Sequence, residues 1–319
     1  MYSIVAAMCV AAGGVAAGIA LTGGDEGGAA PALRSGNPPL ELDLGIRNDR
    51  EALALRRAQR LYANRKVQQA SAVFGRYRSV GARVGAAMAD WPGSTVRRLE
   101  ALSRDYPRSA VVRLNLGFAL VWARDSARAL AAWRAAERVQ PDSPAAVRAG
   151  DLLHPGFNRG LPTFVPSFGP PSSLARLSPS RQVRVLARRA RGADVRAKLL
   201  YGVALQRLGR PISAEREFRQ AAALAPADPD AQVAAAVGRF DKDHPERAFS
   251  RLGPLTRTFP HASTVRFHLG LLLLWLGQVQ EGTRQLRLAL AEGPSSPLGR
   301  EAAQYLRRLR AIGGKLQEK

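Results

Sequence analysis

The residues that most often do chemistry are few in this chain and badly spaced for it. The four histidines are His154, His244, His261 and His268. None falls in a His-Glu-x-x-His pattern, and none is spaced with a cysteine as a zinc site requires. His261 and His268 stand about two helical turns apart, but Pro260 puts His261 at or before a helix start. His268 therefore reads as a groove or core residue, and no metal ion is expected. Cys9 is the single thiol, so no intrachain disulfide can form. Asp241, Asp243 and Glu246 cluster in the run DKDHPE, which reads as a polar turn between helices rather than a pair of catalytic carboxylates. No Gly-x-Ser-x-Gly elbow and no Walker loop is present. Gly13, Gly14 and Gly18 lack the strand and downstream acid that would make them a phosphate loop. The chain is read as non-enzymatic and without a cofactor. What remains is recognition, the work of Trp, Phe and Arg side chains.

Charge points to the kind of partner without deciding it. Lys and Arg number 48 against 25 Asp and Glu, a formal net charge of +23. Such an excess fits an anionic partner: nucleic acid, anionic lipid or an acidic envelope polymer such as an envelope glycan. The Arg residues are scattered rather than blocked, however, which equally fits solvated helix faces. The densest basic run is Ser180 to Arg191, where Arg181, Arg184, Arg188, Arg189 and Arg191 leave Val183, Val185 and Leu186 for a packed side.

The elements that would present these side chains follow a beat of 34 residues. Val195 to Asp228 fits two amphipathic helices, the first with Tyr201, Gly202 and Leu205, the second with Ala214, Phe218 and Ala221, closed by Pro226. The next unit, 229–262, keeps Ala248 and Pro260 in phase, with Ala236 in the small first-helix slot. The unit 263–296 keeps Leu269, Gly270, Leu273, Ala289 and Pro294, and upstream 110–143 keeps Leu116, Gly117, Leu120, Ala129, Trp133, Ala136 and Pro141. Small residues let paired helices approach, a bulky residue one turn later fills the wedge, and proline stops the second helix. Gly282 where Ala is usual and Leu286 where an aromatic is common are the departures.

This pattern resembles the tetratricopeptide repeat family. The resemblance implies an all-α solenoid, a superhelix of helix-turn-helix repeats, and binding of a peptide or protein along the concave side formed by the first helices. Carried over residue by residue, that groove comprises Leu114, Phe118, Val121 and Trp122; Arg196, Leu199, Val203, Gln206 and Arg207; Val233, Val237 and Phe240; and Phe267, Leu271, Leu274 and Trp275. Where the family's carboxylate clamp uses Lys and Asn, this chain has Leu114 and Phe118, Leu199 and Val203, Phe267 and Leu271. The implied groove is apolar, not a clamp for a charged C-terminus; the alternative is that these residues are core, covered by the 154–171 insertion or by neighbouring repeats.

The remaining stretches complete the plan. Residues 1–24 carry no charged side chain and are long enough as a helix to cross a bilayer core. No basic residue precedes the apolar run, which favours an uncleaved anchor over a signal peptide; the repeat domain is then expected outside the cytoplasm. Residues 25–48 read as a flexible tether and 49–109 as degenerate repeats. Residues 144–194 form an interrupted unit, its excess falling in the insertion 154–171, which holds five prolines and three phenylalanines. Two readings of the insertion stand side by side: Phe157, Phe164 and Phe168 dock on a groove, the protein's own included, or the stretch is a floppy insertion. Residues 297–312 read as a capping helix, which an array needs to cover its last apolar face.

Overall fold

A computed structural model describes residues 35–317, with side chains described as far as residue 311. The expected anchor, residues 1–24, lies outside the described residues. Among those described, no helix is long and apolar enough to cross a membrane, and there is no strand. The helices in chain order are α1 (Arg50–Ala63), α2 (Val67–Phe74), α3 (Val80–Met88), α4 (Thr95–Asp105), α5 (Ala110–Trp122), α6 (Ser126–Val139), α7 (Pro144–Leu153), α8 (Ser172–Ala175), α9 (Pro179–Arg189), α10 (Val195–Arg207), α11 (Pro211–Leu224), α12 (Pro229–Val237), α13 (Glu246–Thr258), α14 (Ser263–Trp275), α15 (Val279–Glu292) and α16 (Pro297–Gln317).

Local chemistry fixes where these helices start. Asp49, Ser79, Ser109, Asp125, Ser143, Asp194 and Asp228 each accept a hydrogen bond from a backbone N–H of the first turn, satisfying a donor the helix cannot pair internally. Pro144, Pro179, Pro211 and Pro229 occupy first-turn positions, where their missing N–H costs nothing. Within a pair, the turn between helices needs one left-handed residue. Gly209 and Gly277 supply it at φ +65° and +73°, and Arg124 adopts φ 65° at the corresponding place in its repeat.

The spacing of small and large residues becomes geometry between paired helices. A Cβ added at Gly117 on α5 would stand 2.1 Å from Trp133 Nε1 on α6, and one at Gly202 on α10 would stand 2.2 Å from the Phe218 ring on α11. Trp133 is fully buried, donates from Nε1 to the Leu114 carbonyl at 3.2 Å and meets Phe118 edge-on at 5.9 Å. The departures in the last repeat compensate each other. Leu286 is smaller than Trp or Phe, so α14 and α15 close further, and a Cβ on either Gly270 or Gly282 would lie 3.0 Å from the other's carbonyl oxygen. With the aromatic wedge gone, a side chain at either contact position would crowd the facing carbonyl.

Within the described residues the chain divides into two compact units, ending and beginning between Gly156 and Phe157. The first runs from residue 35 to 156. Its core joins Leu55, Phe74, Met88, Leu99, Leu114, Phe118 and Trp133. The second runs from 157 to 317 and holds two clusters. One is built on Leu199, Phe218, Ala234, Leu252 and Phe164, the other on Phe267, Leu286, Leu298 and Ala302, where α16 closes over α14 and α15.

Candidate peptide-binding grooves

In the second unit the first helices α10, α12 and α14 lie side by side and carry an extended segment of the chain itself. The segment is part of the insertion, from Phe157 to Phe168. Pro162 and Pro166 keep it from becoming a helix, and each removes one N–H that would need a partner. Three backbone N–H groups within 164–167 go to side chains, one from each of the three helices. Phe164 N–H donates to Gln206 Oε1 of α10 at 3.0 Å, Val165 N–H to His268 Nε2 of α14 at 2.9 Å, and Ser167 N–H to Asp230 Oδ2 of α12 at 3.0 Å. Ser167 Oγ donates to the same Asp230 oxygen at 2.5 Å, and Lys242 Nζ donates to the Asn158 carbonyl at 3.1 Å.

The apolar contacts alternate with these bonds. Phe164 is 1% exposed, edge-on to Phe218 at 5.6 Å and stacked on the His268 ring at 5.1 Å. Phe157 meets Phe240 edge-on at 6.3 Å, and Phe240 meets Trp275 at 5.8 Å. Phe168 lies beneath the Arg196 guanidinium at 5.1 Å, a cation–π contact.

The protonation state of His268 follows from its partners. A backbone N–H can only donate and a carbonyl can only accept. Nε2, facing Val165 N–H, is therefore the bare nitrogen, and Nδ1 carries the proton toward the Thr264 carbonyl at 2.7 Å. Burial disfavours the imidazolium and carries the His268 pKa down to about 4, against smaller upward pulls from the Thr264 carbonyl and from the Asp230 carboxylate.

The first unit repeats the arrangement with a different segment. Residues 38–44, read from the sequence as part of a flexible tether, are pinned by α1, α5 and α7. Tyr62 Oη donates to the Pro38 carbonyl at 2.8 Å and Gln59 Nε2 to the Leu40 carbonyl at 3.0 Å. Asn115 takes both backbone groups of Glu41, accepting from its N–H at 3.0 Å and donating to its carbonyl at 2.7 Å. Arg148 Nε meets the Glu41 carboxylate at 2.8 Å. Leu40 and Leu44 are buried, which is why the stretch does not stay solvated. Asn115 and His268 hold the same place, the sixth residue of their first helices.

The residues implied by the family resemblance separate into two sets. Gln206, Arg196, Phe240 and Trp275 meet the segment 157–168 directly or through one ring. Leu114, Phe118, Val121, Leu199, Val203, Val233, Val237, Phe267 and Leu271 are buried in the unit cores and present no open apolar wall. Trp122 and Leu274 are partly buried against those cores, and Arg207 is exposed. The repeat pattern gives no special place to Asn115, Asp230, Lys242, Tyr62, Gln59 or Arg148. Asn115 had a visible signal, a lone amide in the apolar run AVVRLNLGFALVW. Asp230, one residue after Pro229, looked like an ordinary first-turn acid.

Among the described residues no group of acids, histidines and cysteines is arranged to hold a metal ion. No protein-family model and no curated protein matches the chain. Among solved structures, it is similar to a chain of the APC/C hetero-tetramer Cut9-Hcn1 (TM-score 0.33, 14% identity, 84% of this chain and 51% of that one). It is also similar to a human IFIT1 dimer with PPP-AAAA (0.34, 12%, 83% and 65%) and to yeast Tom70 (0.32, 12%, 81% and 48%). The chain thus spans about half the length of the Cut9-Hcn1 and Tom70 chains.

Proposed function

We propose that the chain is a non-enzymatic protein-interaction scaffold of the tetratricopeptide-repeat type, anchored in a membrane by residues 1–24, whose repeat domain lies outside the cytoplasm and binds protein segments along its first helices. One observation carries this reading. The first helices α10, α12 and α14 each supply one side chain that accepts from a backbone N–H of an extended segment. Side chains that read main chain, set between pockets that read alternate side chains, are how a rigid scaffold holds an extended peptide. The test is a photo-crosslinking residue placed at Arg196 or Arg207 of the full chain in its native membranes. A specific protein crosslink that weakens when Trp275 is changed to Ala supports the scaffold. Crosslinks only to the chain itself, with 1–24 removable without release from membranes, sink both halves of the reading.

A second reading rests on α9 and the turn that follows it. Arg181, Arg184, Arg188, Arg189 and Arg191 are exposed, and among the described residues none of them is in an ion pair. This face suits an anionic polymer, nucleic acid or envelope glycan. Binding of that kind falls steeply with added salt, whereas the groove contacts above do not depend on counterion release.

A further inference from the structure

We propose that the groove over α10, α12 and α14 takes, from a partner protein, an extended proline-spaced peptide of the pattern Phe-x-Pro-hydroxyl-Phe, and that residues 157–168 are its resident surrogate. This rests on the scaffold reading and specifies the chemistry of the guest. The occupant itself defines the pattern. Phe164 fills the pocket against Phe218 and His268, Ser167 meets a buried carboxylate with both its N–H and its hydroxyl, and Phe168 lies under Arg196. Pro166 falls between Val165 and Ser167 and has no N–H, so the groove needs no acceptor there.

Phe164 belongs to a core cluster of this unit, yet two observations mark the segment that carries it as exchangeable. The segment is held through its backbone by side chains rather than by a neighbouring helix, a mode that tolerates exchange of one extended chain for another. The fit is also incomplete: Asp230 is 4% exposed, yet its Oδ1 has no hydrogen-bond partner. A buried carboxylate oxygen without a donor is costly, so a partner segment that brings one more hydroxyl or amine donor to that point has an advantage over the resident. The resident keeps the groove closed because covalent attachment gives it a high effective concentration.

The test uses the full chain with residues 157–168 replaced by a Gly/Ser stretch of equal length, and a fluorescent synthetic peptide of sequence 154–171 as the probe. The substituted chain is expected to keep its helical circular dichroism and to bind the peptide saturably, while the natural chain binds it at least tenfold more weakly. Ser167→Ala in the peptide, or Asp230→Asn in the chain, is expected to weaken binding by about tenfold or more, the loss typical of one hydrogen bond to a charged group. A substituted chain that folds but ignores the peptide overturns the proposal. So does one that fails to fold, since the segment is then core. A natural chain carrying only Asp230→Asn guards against a global defect, because it retains Phe164 and is expected to fold. A partner crosslinked at Arg196 that the peptide does not displace would leave the scaffold reading standing and refute this one alone.

Discussion

Lowering the pH should loosen the second unit through a single imidazole. His268 is buried, with Nε2 bare because it accepts from Val165 N–H. Protonation would place an N–H against an N–H and a charge where no solvent reaches. Burial accordingly carries its pKa from 6.5 down to about 4. The unfolded chain binds this proton near 6.5, so between these two values the unfolded state holds more protons and stability falls as pH falls. The contribution is complete above pH 6.5, is lost progressively on the way down and levels off near pH 4. At about 1.36 kcal/mol for each pH unit between the two values, the loss is about 3 kcal/mol, a large fraction of the stability of a domain of this size. The charged group that acts on it is Asp230 on α12, whose field opposes the loss without cancelling it. Urea unfolding of the natural chain and of His268→Gln, followed from pH 7.5 to 4, measures the effect. Glutamine offers one acceptor and one donor but no titration, so the variant should be less stable at pH 7.5 and should match or exceed the natural chain near pH 4. Hydrogen exchange at Val165 should accelerate over the same window in the natural chain only. Parallel curves for the two proteins across that range would refute the reasoning.

Further expectations concern packing and the first unit. Gly117→Ala and Gly202→Ala each force a methyl into an aromatic ring at little more than 2 Å; calorimetry should show losses of about 1–3 kcal/mol or more, and Trp133→Phe should partly rescue the first. Gly270→Ala meets Leu286 and a carbonyl at 3.0 Å, so its loss should fall at the low end of that range. Asn115→Ala leaves both backbone groups of Glu41 without their partner, and should cost about 1–3 kcal/mol while raising hydrogen exchange at Glu41. Charge reversal of Arg184 and Arg188 should abolish any salt-sensitive polyanion binding and leave binding of the 154–171 peptide to the Gly/Ser-substituted chain unchanged.

Some of the architecture is written in the order of side-chain sizes. A glycine followed at a fixed distance by Trp or Phe, and a proline after each second helix, allow one close packing of paired helices, and this is a local matter that a sequence can express. Capping residues such as Asp194 and Asp228 act within a single turn and are equally visible. Even the pairing of Gly282 with Leu286 stands in plain view, though its compensation became clear only from the distance between α14 and α15. Occupancy of the grooves is of another kind. Whether Phe164 fills a pocket between Phe218 and His268, or whether Leu40 reaches the helices that hold Asn115 and Tyr62, depends on contacts between residues tens of positions apart. No periodicity records such contacts. Aligned on their repeats, Leu199 and Phe267 fit a groove wall and a core equally, because a helix face that is apolar toward a guest and one that is apolar toward its neighbours carry the same residues. Burial alone separates them, and burial is a property of the assembled chain.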